Sequence, residues 1–429
     1  MSVSASSLPQ TERKQFTHCG ECDALVAIPQ RLSKQQRALC PRCHHTLAVG
    51  NHWSLQRCAI IALSILILMP FALTFPLLSI ELLGISVPAS VWGGVWKMAT
   101  ENYPYTAFLV FICAVVMPIF FALLVIMLRL AQLFKIKPRN VLLTINRIQP
   151  WVMLDVYLVS LAVAAFKVRE YASLEMDIYL IAFVFTALLT TLLFIKIDSK
   201  ALWNTFYPSQ QATIIEEKNY LQNPPHFCHH CEYSFEQPLW DKKHRPICPR
   251  CHQHTERDNN LMLQATWATL IAGLIMLIPA NLLPISTVYL NGAPSSDTLM
   301  SGVISFIEMG SYFVAFVVFT ASIFVPVGKI LIMLYLLCCV HFRWAHSIKW
   351  QMKLLHIVHF VGRWSMLDLF VLSLMMSLVS RGQIISFSVG PAALYFGIAV
   401  FLTMISTSLF DSRLLWKIYD KSSQSHEKK

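Results

Sequence analysis

Residues 248–252 read Cys-Pro-Arg-Cys-His, and an apolar stretch begins ten positions later, at residue 262. The same succession occurs 208 residues earlier, where Cys-Pro-Arg-Cys-His at 40–44 precedes an apolar stretch at 56–78. Repeats this long are whole domains rather than solenoid units, so the sequence predicts a tandem duplication of a cysteine module and a membrane bundle. Further segments recur in register: Pro76 and Pro284, Pro118 and Pro326, Trp151-Val152-Met153-Leu154-Asp155 and Trp364-Ser365-Met366-Leu367-Asp368, and Asp198-Ser199-Lys200 and Asp411-Ser412-Arg413.

The composition is that of a polytopic membrane protein. Hydrophobic residues make up 56% of the 429 residues and charged residues 13%, whereas soluble domains are nearer 25% charged. The apolar residues form blocks close to the ~20 residues that a helix needs to cross a bilayer. The first block starts after residue 54 and is too long for a cleaved signal peptide. The sequence predicts an all-α fold with eight spans in two four-helix bundles, at 56–78, 106–128, 151–167, 178–196, 262–283, 312–338, 364–380 and 390–409.

The distribution of positive charge predicts the orientation of these spans. Of the 34 lysines and arginines, Lys329 lies inside a span and only Lys97, Lys167, Arg169 and Arg381 lie in loops after odd-numbered spans. Basic residues concentrate in cytoplasmic loops, so both termini and both cysteine modules are expected in the cytoplasm. Four spans per half place the halves the same way up, related by a pseudo-two-fold axis along the membrane normal. Because the net charge of +11 is spread over every cytoplasmic segment, it favours a topology signal over nucleic-acid binding.

The two cysteine modules have the spacing of metal ribbons. Each contains two C-x2-C pairs, separated by 17 residues in the first module and 16 in the second. Two such pairs suit one tetrahedral site with four thiolate ligands, and a reducing cytoplasm disfavours disulfides. The predicted ligands are Cys19, Cys22, Cys40 and Cys43 in the first module, and Cys228, Cys231, Cys248 and Cys251 in the second.

Zinc is the predicted ion at both sites, and a rubredoxin-like iron site or a redox dithiol are the alternatives. The ribbons are interpreted as structural units that fold only with metal, with a sensing or docking role as the alternative. The histidines near the knuckles are interpreted as surface groups or as groups around the ligands, although they could replace a ligand. They are His44, His45, His229, His230, His252 and His254.

Ionisable groups inside the spans of the second half point to function. Lys329 lies roughly 13 Å and Asp368 roughly 7 Å inside the cytoplasmic ends of their spans, by the helical rise. A lysine stem can cover the difference, so a Lys329–Asp368 pair is feasible, and an unpaired charge there costs about 2.5–3.5 kcal/mol. The hydroxyls of Ser322, Ser365, Ser373 and Thr403 could complete a hydrogen-bonded network. A proton relay would suit such a pair, and a static strut is the alternative.

The first half lacks this set. Its counterpart of Lys329 is Phe121 and its counterpart of Arg363 is Pro150, while Asp155 remains. We therefore expect the second bundle to be the working one and the first bundle to be a scaffold.

Short strands and close helix packing are expected on the outer side. Pro70 and Pro279 should kink or end spans one and five, and the alternating residues 79–87 and 286–290 predict strands, with a hairpin turn at Asn291-Gly292. Gly93-Gly94 and Ser301-Gly302 recur where an outer helix would pack closely. No nucleophile–base pair, Walker loop or dinucleotide fingerprint is present, which argues against an enzyme and against ATP use by this chain.

Together these residues resemble the paraquat-inducible protein A family, most closely its LetA branch, over nearly the whole chain. The resemblance is carried by the paired ribbons, the segment Ile278-Pro279-Ala280-Asn281-Leu282-Leu283-Pro284, the segment Gly362-Arg363-Trp364-Ser365-Met366-Leu367-Asp368, Gly390-Pro391-Ala392-Ala393 and the tail that begins Asp411-Ser412-Arg413.

The resemblance implies an inner-membrane protein of double-membraned bacteria that pairs with an MCE-domain protein forming a tunnel across the periplasm. It implies movement of phospholipid between the membranes, with this chain loading or receiving lipid at the base of the tunnel, and bundles like eukaryotic tetraspan auxiliary proteins. It also implies zinc in both ribbons and a polar network at Ser322, Lys329, Ser365, Asp368 and Thr403.

The functional alternatives are a non-transporting scaffold that anchors an MCE protein and a membrane redox or stress-response protein. The predicted domains are a first ribbon at 1–52, a first bundle at 53–205, a second ribbon at 206–259, a second bundle at 260–418 and a polar tail at 419–429.

Overall fold

The computed structural model describes most of the chain. Arg381, His229 and the Asn291-Gly292 turn lie outside the described residues. The described residues are 14–29, 32–33, 36–50, 53–82, 85–101, 103–169, 173–208, 226–228, 230–235, 237–255, 258–290, 293–308, 310–344, 347–379 and 385–427.

The described chain is mostly helical and contains eight helices long and apolar enough to cross a membrane, which confirms the predicted number. Spans three and seven are longer than predicted, because each continues an amphipathic helix, Arg139–Ile148 or Ile348–Gly362. An average of hydropathy over consecutive residues combines the apolar face of such a helix with its polar face. The helix therefore does not stand out as apolar in the sequence. The spans one to eight are Leu55–Thr74, Pro104–Leu133, Arg139–Phe166, Tyr179–Lys196, Asn259–Leu282, Tyr312–His341, Ile348–Ser377 and Ala392–Leu409.

Spans two and six each contain one widened turn at the same place. Ile112–Val116 and Thr320–Phe324 are π-helical, and each comes just before a proline, Pro118 or Pro326. A proline ring lacks an N–H and clashes with the preceding turn of an α-helix, and a π-turn relieves both constraints. In span six this turn carries the buried residue Ser322.

A three-stranded antiparallel sheet lies outside the spans in each half. The predicted strands form in both halves, as β5 (Leu78–Leu82) and β6 (Ile85–Ala89) in the first and as β12 (Ser286–Leu290) and β13 (Ala293–Asp297) in the second. Each hairpin pairs with a third strand that the sequence pattern did not indicate, β7 or β14, to give the orders β6-β5-β7 and β13-β12-β14. The strands are β5 Leu78–Leu82, β6 Ile85–Ala89, β7 Ser173–Met176, β12 Ser286–Leu290, β13 Ala293–Asp297 and β14 Ile385–Val389.

Spans three and seven pack against each other at the centre of the molecule. Leu367–Val379 of span seven contacts Leu154–Arg169 of span three. The ring of Tyr157 lies 5.1 Å from that of Phe370, and these two residues occupy the same place in the recurring Trp–Asp segments. Equivalent residues meet each other at a two-fold axis, because such an interface is built from the same patch on both sides.

The two halves differ in how a short outer helix packs. Each helix packs on the start of the span that follows it, span two or span six, and Val91–Thr100 also lies against span seven. A Cβ atom on Gly94 would lie only 2.5 Å from the backbone oxygen of Ser373, while one on Gly302 would meet no described atom within 4 Å. The close helix approach predicted for both glycine positions therefore exists at Gly94 and is absent at Gly302 among the described residues.

This difference gives a matched pair of substitutions. We expect Gly94→Ala to lower the free energy of unfolding by about 1–3 kcal/mol, because the methyl group forces the outer helix away from span seven. Gly302→Ala should be neutral or stabilise by up to about 1 kcal/mol, because alanine favours a helix more than glycine does. Thermal melts of both variants in detergent check the prediction, and equal melting temperatures for the two would contradict it.

The second ribbon docks on the bundle that precedes it in the chain. Its Arg250 donates hydrogen bonds to Asn204 Oδ1 at 2.8 Å and to the carbonyl oxygen of Tyr207 at 2.7 Å. The Arg250 guanidinium also lies 5.7 Å from the ring of Trp203, which is fully buried. All these partners belong to the helix Ser199–Phe206, or follow it directly. The ribbon strands are β8 His226–Phe227, β9 Ser234–Phe235, β10 Leu239–Trp240 and β11 Pro246–Ile247.

The first ribbon docks on the second bundle, and the carbonyl oxygen of its Leu47 also accepts a hydrogen bond from Lys200 at the end of the first bundle. Arg42, the counterpart of Arg250, forms an ion pair with Asp420 and lies 4.4 Å from the ring of Trp416. Both partners lie on the last helix, Arg413–Glu427, which runs into the predicted polar tail. The same arginine–tryptophan contact is therefore made twice, once between neighbours in sequence and once between the two ends of the chain. The ribbon strands are β1 Lys14–His18, β2 Leu25–Pro29, β3 Arg37–Leu39 and β4 Thr46–Val49.

Candidate functional site

The structure brings the eight ribbon cysteines together as two clusters of four. In the first cluster the Sγ atoms of Cys19 and Cys43 are 3.4 Å apart, and those of Cys22 and Cys40 are 3.6 Å apart. In the second cluster the corresponding distances are 3.4 Å between Cys228 and Cys251 and 3.7 Å between Cys231 and Cys248. Four sulfurs around a zinc ion at 2.3 Å would be about 3.8 Å apart, so both clusters have nearly the size of a tetrahedral site.

Each knuckle reaches this geometry through the same turn. The residue after each C-x2-C pair has a positive φ angle: 59° at Asp23, 59° at His44, 53° at Glu232 and 58° at His252. In the first knuckle the Asp23 N–H donates to the carbonyl oxygen of Cys19, which folds the chain back so that both thiols point the same way. The described part of the chain includes all twelve cysteines, and all are free thiols.

Two thiols of the first cluster have pKa values shifted in opposite directions. A hydrogen bond from Cys22 lowers the pKa of the Cys19 thiol to about 4, while burial raises the pKa of Cys43 to about 12. Metal ligands must be thiolates, and a bound cation favours the loss of the remaining protons. The two buried clusters can therefore bind metal ions.

The predicted polar residues of the second bundle are all buried within one region of spans six, seven and eight. Ser322 comes from the π-turn and Lys329 from the following helix of span six, Ser365 and Asp368 come from span seven, and Thr403 comes from span eight. Their exposed fractions are 1% for Ser322, 3% for Lys329, 1% for Ser365, 9% for Asp368 and 4% for Thr403.

Lys329 Nζ has no hydrogen-bond partner among the described residues. A Cβ atom on Gly362 would lie 3.4 Å from Nζ, so the end of the helix Ile348–Gly362 forms one wall of the ammonium's pocket. The pairing with Asp368 that the sequence allows is not formed in this part of the structure. A buried ammonium without a partner costs several kcal/mol, so the site is poised to accept an anionic group or to release a proton.

Two of the four hydroxyl groups expected in the network bond to the backbone. Ser365 Oγ donates to the carbonyl oxygen of Gly362 at 3.1 Å, and Thr403 Oγ1 donates to that of Val400 at 2.9 Å. Ser322 Oγ and Ser373 Oγ have no partner among the described residues. Among the described residues, none of these four hydroxyl groups forms a hydrogen bond to another side chain of the expected network.

Tyr157 is a polar residue of this region that sequence reasoning missed. It belongs to span three of the first half, is fully buried, and packs on Phe370 beside Ser373. The signal that could have identified it is its place two residues after Asp155 in the recurring segment, where the second half has a phenylalanine.

At the equivalent positions of the first half, three of the five side chains are apolar, and only Thr190 and Asp155 are polar. Phe121 stands in place of Lys329 and Ala114 in place of Ser322, and both are fully buried. Val152, in place of Ser365, is 3% exposed. Thr190, in place of Thr403, is 4% exposed and bonds to the backbone of Thr186. The first half therefore lacks the lysine and both serine hydroxyls of the polar set.

Comparison with known proteins places this arrangement in a family. The sequence model described as paraquat-inducible protein A matches residues 55–207 and again 263–420. The chain belongs to the paraquat-inducible protein A family. Each match covers one set of four spans and the helix on which a ribbon docks.

The relatives in this family are named as transport proteins. A Haemophilus influenzae protein named probable intermembrane transport protein is 65% identical over 405 residues, covering 94% of this chain and 96% of the relative. Lipophilic envelope-spanning tunnel protein A of Escherichia coli is 41% identical, covering 95% and 92%. Intermembrane transport protein PqiA of Escherichia coli is 29% identical, covering 93% and 94%. Comparison with solved structures gave no significant match.

Proposed function

We propose that this chain is the inner-membrane subunit of a system that moves phospholipid between the two membranes of the bacterial envelope. The observation that carries the proposal is the buried Lys329 side chain, which lies in a membrane-length helix and whose Nζ has no hydrogen-bond partner among the described residues. An ionisable side chain inside a membrane-spanning segment marks a substrate or ion pathway by default. One relative is named as a probable intermembrane transport protein and another as an envelope-spanning tunnel protein, and both names support this proposal. We propose no enzymatic activity for the chain.

The partner in this proposal is an MCE-domain protein that forms a tunnel across the periplasm. The chain would load or receive lipid at the base of this tunnel. The two three-stranded sheets would then face the periplasm, and the ribbons and both termini would lie in the cytoplasm, as the excess of basic residues in those loops suggests.

The architecture that we propose is a tandem repeat with a pseudo-two-fold axis along the membrane normal. Three observations support it: the family model matches once in each half, both sheets have the same strand order, and Tyr157 packs on its counterpart Phe370. The proposed domains are a first ribbon at 1–52, a first bundle at 53–205, a second ribbon at 206–259, a second bundle at 260–418 and a polar tail at 419–429.

We propose zinc as the ion of both cysteine clusters, with a structural role. The strands of the second ribbon are only two residues long, so strand pairing contributes little to its stability and a central ion is needed to hold its knuckles together.

The working site in this proposal is the polar set Ser322, Lys329, Ser365, Asp368 and Thr403. Proton movement between Lys329 and Asp368 could couple lipid movement to the proton gradient, because a lysine with no fixed partner can lose its proton at lower cost than a paired one. The first bundle, with Phe121 at the equivalent place, would be the scaffold.

Co-purification tests this function. The tagged chain, extracted from membranes in mild detergent, should carry an MCE-domain protein and phospholipid, both identified by mass spectrometry. A tagged eight-span protein of another family, expressed to the same level, controls for bulk lipid. Recovery of the chain with metal but without an MCE protein, and with no more lipid than the control, would contradict the proposal and favour a free-standing redox or stress-response role.

A further inference from the structure

A third group of potential metal ligands lies between the first ribbon and the second bundle. Glu21 lies within the first knuckle, His45 follows the second knuckle, and His356 lies on the helix Ile348–Gly362. One ligand atom of each lies within 4.8 Å of the others. Glu21 and His356 are 335 positions apart in the sequence, and only the docking of the first ribbon on the second bundle brings the three residues together.

Hydrogen bonds fix the orientation of the helical histidines. His356 Nδ1 lies 2.7 Å from the carbonyl oxygen of Met352, and His359 Nδ1 lies 3.0 Å from that of Leu355. A carbonyl oxygen can only accept, so Nδ1 carries the proton in both rings and the lone pair is on Nε2. This is the usual arrangement of a metal-binding histidine, whose second nitrogen donates to a backbone carbonyl or carboxylate.

The group opens into a cavity with room for an ion and its water ligands. The cavity has a volume of about 520 Å³, and its lining includes Glu21, His45, His356, His359, Glu232 and Asp411. Its nearby cations are already engaged: Arg413 donates to the carbonyl oxygen of Gly20 at 3.0 Å, and Lys200 pairs with Glu232 at 2.5 Å. Neither contact involves the Glu21 carboxylate, which is therefore available as a ligand.

We propose that Glu21, His45 and His356 form a third metal site, for a divalent transition-metal ion such as Zn²⁺. Two imidazoles and one carboxylate are the ligand set of open zinc and iron(II) sites, which keep free positions for water. His356 is exposed and the other two ligands are half-buried, so this ion exchanges with solvent more readily than ions held in the buried thiolate clusters. The site is distinct from both ribbons in its ligands and in its exposure.

An ion at this site would join the first ribbon to the helix that ends beside Lys329. His359 lies one turn after His356, and Gly362, at the end of the same helix, forms a wall of the Lys329 pocket. The ion would therefore restrain this wall through the ribbon. The binding site itself stands independently of the proposed transport function.

Cobalt binding to the full-length protein tests the site. The protein, with zinc in both ribbons, is dialysed against a weak chelator and titrated with Co²⁺. We expect one further equivalent, with the weak visible absorption of nitrogen and oxygen ligands and without the intense sulfur-to-cobalt charge-transfer band. Zinc measured by mass spectrometry should remain at two per chain throughout.

Three variants decide whether the named residues bind the ion. His45→Gln and His356→Gln should each weaken cobalt binding about tenfold or more, whereas His341→Gln, at the end of span six, should leave it unchanged. Retention of both zinc ions shows that the ribbons of the variants are folded. The proposal is wrong if wild-type protein takes up no further equivalent, if neither variant weakens it, or if the charge-transfer band shows that cobalt has entered a thiolate cluster.

Discussion

Lys329→Met should abolish lipid transfer while leaving the protein as stable as wild type or more stable. The ammonium is 3% exposed and has no hydrogen-bond partner among the described residues. Replacing a buried charge by an apolar side chain of similar volume is often neutral or stabilises by about 1–4 kcal/mol. We expect transfer to fall at least about tenfold, which corresponds to about 1.4 kcal/mol in the barrier. Transfer is measured from vesicles that contain the variant to its purified partner, and stability by thermal melts.

Phe121→Met is the matched control, because it places the same side chain at the equivalent position of the first half. It should keep transfer close to the wild-type rate. Asp368→Asn should lose transfer as Lys329→Met does, if the two groups exchange a proton. Normal transfer by Lys329→Met, together with a clear loss of stability, would identify Lys329 as a strut and favour the scaffold alternative.

Loss of a single ribbon cysteine should release one metal ion and unfold one ribbon. We expect two zinc ions per wild-type chain and one in Cys40→Ser or Cys248→Ser, measured by mass spectrometry. Structural zinc contributes about 10–16 kcal/mol to the folding of small domains, which the short ribbon strands cannot replace. The ribbon that has lost its ion should exchange its backbone amide hydrogens rapidly, while the other remains protected.

Cys338→Ser is the control, because Cys338 lies at the end of span six and outside both clusters. It should retain two zinc ions. A reducible visible chromophore with iron in place of zinc would support a rubredoxin-like site, and two thiols per cluster that oxidise to a disulfide would support the redox alternative.

The membrane fold could be predicted from the sequence because its signals are local. A run of about twenty apolar residues is enough to predict a membrane-spanning helix, and a C-x2-C pair repeated at ribbon spacing indicates which four thiols will form one cluster. The third strands β7 and β14 were missed because four or five residues in a loop between spans carry too short a pattern. Spans three and seven were cut short because the helices that extend them, such as Arg139–Ile148, are amphipathic.

The candidate site was predicted by residue type but not by geometry. Burial of Lys329 and Asp368 follows from their place in apolar spans, whereas the absence of a direct pair depends on the rotation of span six against span seven. The π-turn at Thr320–Phe324 lies within span six and affects that rotation, and no residue type specifies such a turn reliably. The Glu21–His45–His356 group forms only when the first ribbon docks on the second bundle, so no local sequence pattern indicates it.

The docking of the first ribbon on the last helix has a consequence for biosynthesis. Trp416 is synthesised about 370 residues after Cys43, a delay of roughly 20–75 s at a translation rate of about 5–20 residues per second. During this interval the helix on which the first ribbon docks has not been synthesised. The second ribbon, by contrast, is synthesised within seconds after the helix on which it docks. The first ribbon is therefore made before the second ribbon and reaches its place after it, and a nascent chain that stalls before residue 416 leaves the first ribbon exposed to the quality-control machinery of the cell.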